Sequence, residues 1–260
     1  MTAGRRIALV TGGRRGIGRA IAYALADQGF DVVINDLERD ASADETLAGI
    51  AERGGKGAFV TGSVSDIDDH ERIVSEAWGA FGPIACLVNN AGVQTAYRGD
   101  MLEVPVESFD RLMSVNLRGS YFLTQRIAKR MIAQPVTEPT RPDRSVIFIS
   151  SGNAVIATQA QADYCISKSG IAMMATLYAL RLAEYGIAVH EVRPGIIKTD
   201  MTADVFDKYD NWARSGGFPL ARWGEPEDVG NTVGVLAAGL LPYSTGHAFH
   251  VDGGIHIRRT

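Results

Sequence analysis

In the stretch ADYCISKSG a tyrosine and a lysine stand four residues apart, at Tyr164 and Lys168. On a helix, that spacing puts both side chains on one face. A tyrosine with a pKa near 10 is a poor base at neutral pH. A lysine charge about 4 Å away, at an effective dielectric of about 20, is worth about 4 kcal/mol, or roughly three pKa units. The expectation is that Lys168 makes the Tyr164 phenol ionisable and brings it into range for general acid–base catalysis. Ser151, upstream in ISSGN, is placed to hold a substrate oxygen by hydrogen bonding while Tyr164 moves the proton. A Tyr–Lys pair at this spacing is also a common feature of solvated helix faces, so its meaning depends on the rest of the chain.

Far upstream, TGGRRGIG (11–18) lies between an apolar run and a helical pattern, the context in which a glycine fingerprint is informative. Gly12 permits a tight turn, Gly16 lets the backbone approach a pyrophosphate, and Gly18 allows close helix–strand packing. The N–H groups and dipole at the start of the helix, around Ile17, favour negative charge. No Gly-Lys-Ser/Thr follows, so this is not a P-loop. Asp36, with Leu37 after it, ends the next apolar run, where a carboxylate would accept hydrogen bonds from an adenosine ribose. A 2′-phosphate would be repelled by Asp36, whereas Arg14 or Arg15 could reach one. The strand-end acid is better fixed than an arginine's reach, so NAD is favoured, with NADP as the alternative.

Apolar runs and helical stretches alternate along the chain. Strands are expected at 6–13, 30–36, 56–64, 83–92, 144–151, 186–195 and 246–254. Ile17, Ala20, Ile21, Ala24 and Leu25 mark one helix face, and Gly29 closes it. Further helices are expected from about Asp66 to Gly82, over 107–133 and over 161–185. Near-continuous apolar strands separated by helices imply a parallel sheet covered on both faces. With right-handed crossovers this is an α/β, doubly wound, seven-stranded Rossmann sheet. The chain reads as a single domain over 1–260, with insertions at 134–143 and 196–223.

The bulk numbers exclude other classes. The chain has 260 residues, 46% hydrophobic and 22% charged, with a net charge of −4. That leaves no basic footprint for nucleic acid or an anionic membrane. Its longest apolar runs, such as VGVLAAGLL (233–241), fall short of the ~20 residues a bilayer needs. Cys86 and Cys165 form no disulfide framework and have no metal-ligand spacing. No signal peptide is read at the start, and the reading is a cytoplasmic protein with no metal site.

Taken together, TGGRRGIG, NNAG (89–92), VNLRG (115–119), Ser151 with YCISK (164–168), RPG with Thr199, and VDGG (251–254) resemble the short-chain dehydrogenase/reductase family over nearly the whole chain. The resemblance implies a catalytic set of Asn116, Ser151, Tyr164 and Lys168, with Asn116 holding a water in a proton relay from Lys168. It implies that Lys168 binds the nicotinamide ribose and that Asn90, Ala91 and Gly92 line the cofactor. It also implies that Val64, after Ser63, meets the adenine through its backbone, and that Ile197 and Thr199, following Pro194 and Gly195, fix the carboxamide. Many relatives carry an aspartate where this chain has Ser63. The C-terminal third is most similar to the 3-oxoacyl-carrier-protein reductase group, which also holds sugar, polyol and steroid dehydrogenases. The expected activity is NAD(P)-dependent interconversion of a secondary alcohol and a ketone by a homotetramer paired through the helices at 107–133 and 161–185 and the C-terminal segment. A non-catalytic nucleotide-binding protein is the rival. The substrate would lie against Val93–Thr95, Gly152–Thr158 and a lid at 196–223 carrying Phe206, Tyr209, Trp212, Phe218 and Trp223.

Overall fold

The computed structural model describes residues 4–135, 143–199 and 218–258. Seven strands, β1 (Arg6–Thr11), β2 (Phe30–Asp36), β3 (Gly57–Thr61), β4 (Ile84–Asn89), β5 (Arg144–Ile149), β6 (Ile187–Pro194) and β7 (His247–Val251), form one sheet in the order β3-β2-β1-β4-β5-β6-β7. Every pairing is parallel. The order reverses between β1 and β4, so the chain leaves these adjacent strands in opposite directions and opens a crevice at their carboxyl ends.

The strands are apolar on both sides because both faces are covered. Leu9, Val33, Leu87, Val146, Phe148 and Val189 face one cluster, packed by α3 (His70–Phe81), α5 (Ser120–Ile132) and α6 (Ala162–Leu182). The alternate positions Ala8, Val10, Val32, Ile34, Val88 and Ile147 face the other, under α1 (Gly16–Asp27), α2 (Ala41–Glu52) and α7 (Pro226–Ala237). The alternation is the pleat of a doubly covered sheet.

Three local features depart from the expected pattern. The run expected as a strand over 6–13 ends at Thr11, because Gly12 turns the chain at φ 65°. The polar segment after β2 forms α2, with the Asp40 side chain accepting from Ala43 N at 3.0 Å as its N-cap. The long helix expected over 107–133 is α4 (Val106–Leu112), a π-helical turn (Met113–Gly119) and then α5. Of the expected lid, Phe206, Tyr209 and Trp212 lie outside the described residues. Phe218 and Trp223 are buried as core residues, and Gly224 N donates to Ile196 O at 3.1 Å, closing the base of that segment.

Candidate active site

A cleft of about 930 Å³ opens at the carboxyl ends of the strands, beside the point where the order reverses. Its floor is the glycine turn. A Cβ on Gly12 would come within 2.9 Å of Ala91 Cα, and one on Gly18 would overlap the carbonyl oxygen of Gly12. Neither position admits a side chain, which lets the turn's backbone come up to a ligand. α1 then starts at Gly16 with no side chain capping its first N–H groups. Those donors, at the positive end of the helix dipole, fit a pyrophosphate. Asn90 and Thr11 hold the turn in place. Asn90 Nδ2 donates to the carbonyls of Thr11 (3.0 Å) and Gly12 (2.9 Å), while Thr11 Oγ1 accepts from Asn90 N (3.1 Å) and Ala91 N (3.0 Å). The Asn90 side chain is thus spent on scaffolding, and NNAG faces the cleft through its backbone.

At the ribose end, Asp36 accepts from Leu37 N at 2.8 Å and from Arg14 N at 3.3 Å. The Arg14 guanidinium lies against Glu38 (2.7 Å), Asp40 (2.6 Å) and Asp36 (3.6 Å). Sequence reasoning weighed Arg14 as a reader of a 2′-phosphate; folded, it is already held by carboxylates. Ser63 turns its hydroxyl to Ser65 Oγ at 2.8 Å. The Val64 carbonyl accepts from the buried His70 Nε2 at 2.7 Å. Thr199 lies opposite Gly16, its Cγ2 3.6 Å from where a Cβ on that glycine would stand.

At the other end, β5 delivers Ser151 and α6 delivers Tyr164 and Lys168, all at least nine-tenths buried. The Ser151 and Gln94 side chains lie close enough to the Tyr164 phenol to favour its ionised form. Lys168 Nζ donates to Ile149 O at 3.1 Å and sits 5.5 Å from the centroid of the Tyr164 ring. This corrects the expected electrostatics. Burial pushes the phenol up to about 12, against smaller pulls from Ser151, Arg98 and Gln94. Burial likewise pushes the Lys168 ammonium down to about 8, with Glu191 acting the other way. The spacing brings the pair together, but loss of water outweighs the attraction that the spacing alone implies.

Asn116 stands behind the cleft wall, fully buried in the π-helical turn. Its Oδ1 accepts from Val93 N at 2.8 Å, and its Nδ2 donates to Val93 O (3.0 Å) and Ser167 Oγ (3.1 Å). The Asn116 side chain thus fixes the Val93 backbone. A Cβ on Gly92 would stand 3.3 Å from Asn116 Oδ1 and 3.6 Å from Lys168 Nζ, so the three meet at one point.

Every residue expected to touch the cofactor lines this cleft, from Gly12 through Val64 to Thr199. Sequence reasoning gave Gln94 only a place in the pocket wall and missed Glu191. Glu191 is buried on β6, accepts from Ser150 Oγ at 2.5 Å, and takes Arg193 on both oxygens at 2.8 Å. Nothing local in VHEVRP marks it, because its partners come from a neighbouring strand and from its own.

Behind Gly195 the C-terminal segment gathers His250, Asp252 and His256. Arg193, which can only donate, lies 3.4 Å from His250 Nε2. His250 Nδ1 lies 3.4 Å from Asp252 Oδ2. His256 Nδ1 lies 2.7 Å from the same oxygen and the two imidazoles stack, so the trio ties the segment together.

A family model described as enoyl-(acyl carrier protein) reductase matches residues 12–256. An L-rhamnose 1-dehydrogenase (NAD(P)(+)) from Sphingomonas sp. is 33% identical over 250 residues, 96% of this chain and 95% of that protein. A 3-oxoacyl-[acyl-carrier-protein] reductase from Synechocystis sp. is 34% identical over 252 residues, 96% of each. Among solved structures, a 3-oxoacyl-[acyl-carrier protein] reductase from Brucella melitensis in complex with NAD matches with a TM-score of 0.94 and 46% identity over 100% of both chains.

Proposed function

The chain belongs to the short-chain dehydrogenase/reductase family and is an NAD(P)-dependent oxidoreductase acting on CH–OH or keto groups; from that premise we propose that it uses NAD to interconvert a secondary alcohol and a ketone, with a 3-oxoacyl group as the leading substrate. The observation that carries the reading is the buried cluster of Ser151, Tyr164 and Lys168 at one end of a cleft whose other end is lined by Asp36 and by Arg14, itself paired with Glu38 and Asp40. The three acids favour a free ribose over a 2′-phosphate.

When bound, the nicotinamide supplies or accepts a hydride at its C4 position. The remaining work falls to the protein. The glycine turn and the start of α1 hold the pyrophosphate, and Asp36 takes the adenosine ribose. Ser151 hydrogen-bonds the substrate oxygen and sets it beside the phenol. In reduction Tyr164 gives its proton to that oxygen as charge develops there, and Lys168 stabilises the phenolate left behind. Asn116 acts as a positioning residue, locking the backbone at Val93 beside Lys168. In alcohol oxidation the same groups run in reverse.

The 3-oxoacyl reading is supported by the Synechocystis and Brucella relatives, and a sugar dehydrogenase by the rhamnose enzyme. The test is NADH-dependent reduction of acetoacetyl thioesters beside NAD-dependent oxidation of L-rhamnose, each repeated with the phosphorylated cofactor. The reading expects thioester reduction with NADH to be fastest; rhamnose oxidation as the main rate would move the enzyme to the sugar dehydrogenases.

The same reading makes the enzyme a cytoplasmic homotetramer. Both cysteines are free, as reducing compartments keep them, and no helix among the described residues is long and apolar enough to cross a membrane. The outer face of α6 exposes Ile166, Met173, Leu177 and Leu180, beside Tyr121 of α5 and Phe109 of α4. An apolar face of that extent supports pairing with a second copy.

A further inference from the structure

The ribose end of the cleft carries more charge than ribose recognition needs. Asp36, which lines the cleft, alone can receive two ribose hydroxyls, yet Glu38 and Asp40 join it around Arg14. Both are spent on Arg14. Its Nη1 donates to Glu38 Oε1 at 2.7 Å and to Asp40 Oδ2 at 2.6 Å, and its Nε lies 3.6 Å from Asp36 Oδ1. The Arg14 side chain is 14% exposed, while those of Glu38 and Asp40 are 68% and 40% exposed. The guanidinium is covered and the acids face outward.

The arginine is anchored from below as well. Thr46 Oγ1 donates to the Arg14 carbonyl at 2.7 Å, and Arg19 Nη2 donates to it at 3.3 Å. Asp40, besides holding Arg14, caps α2. The glycine turn, β2 and the start of α2 are thereby tied together through one side chain. A guanidinium matches a phosphomonoester in charge and donor geometry, and Arg14 lines the cleft at the place where a 2′-phosphate would enter. Three carboxylates against one guanidinium leave two negative charges facing a group that itself carries about −1.5 to −2.

We propose that Glu38 and Asp40 set the cofactor preference by sequestering Arg14, so that an arginine able to bind a 2′-phosphate is held closed in favour of the unphosphorylated nucleotide. The proposal rests on the NAD reading above and adds to it two residues beyond Asp36. Arg15, on the same turn, is unchanged in every variant that tests it.

The experiment is calorimetric titration of NADH and NADPH into the wild type, into Glu38→Gln/Asp40→Asn, and into the same double variant carrying Arg14→Gln. Asparagine keeps the α2 cap, because it serves as an N-cap as well as aspartate does. The expected result is a ratio of NADPH to NADH affinity at least tenfold higher in the double variant than in the wild type, and largely reversed by Arg14→Gln. Glu38→Gln alone, at an exposed position, should move the ratio about threefold in the same direction and keeps the test intact if the double variant does not fold. An unchanged ratio in a wild type that prefers NADH overturns this proposal and leaves the NAD reading standing. A gain that survives Arg14→Gln overturns the role of Arg14. A wild type that prefers NADPH overturns the NAD reading itself.

Discussion

In the proposed mechanism Tyr164 keeps its proton until a substrate arrives. Burial holds the phenol up near 12, so across the neutral range it stays loaded as an acid, which suits donation to a ketone oxygen. Lys168 is the group that titrates within reach of ordinary conditions, because burial brings it down to about 8. Below that value the lysine is charged and can stabilise the phenolate left after donation; above it the charge is lost. We therefore expect kcat/KM for ketone reduction at saturating NADH to be level at neutral pH and to fall as pH rises through about 8. A pH–rate profile from 6 to 10 checks this. In Lys168→Met that limb should disappear and the plateau should drop by about 10²-fold, at the low end of the usual contribution of a proton-transfer group. A wild-type profile that stays level to pH 10 would separate Lys168 from proton transfer.

The elements explain why so much of the site was legible and where legibility stopped. Gly12, Gly18, Asp36 and the Tyr164–Lys168 spacing are requirements local to one turn or one helix, so a linear reading finds them. The sheet followed from its apolar runs, since a doubly covered parallel sheet needs them on both faces. Other features depend on residues distant in the chain. α2 has few apolar positions and is held by Arg14, Thr46 and its Asp40 cap, so its periodicity is faint. The π-helical turn is invisible in VNLRG, yet it carries Asn116 toward Val93 and Ser167. π-helical turns within α-helices are often found at functional sites. The sign of the Tyr164 shift was beyond the sequence for the same reason. An i,i+4 spacing reports neighbours, whereas desolvation depends on how completely the assembled fold excludes water.

At the scale of the whole molecule, the cleft and the exposed face of α6 lie on one rigid element, since α6 carries Tyr164 and Lys168 as well as Met173 and Leu177. Pairing through that face would hold α6 against the sheet and support the site. Leu177→Glu should lower the mass seen by light scattering to that of a smaller species while leaving the fold intact by circular dichroism; an unchanged mass would place the interface elsewhere. The most direct test of the catalytic account is Tyr164→Phe, measured by NADH titration and by single-turnover ketone reduction on the same preparation. The variant removes one oxygen from a buried ring, so NADH should bind within about twofold of wild type while reduction falls by 10²–10⁴-fold, the range of a lost general acid. Reduction within tenfold of wild type, with the cofactor bound, would show that another group delivers the proton and would contradict the role given to Tyr164.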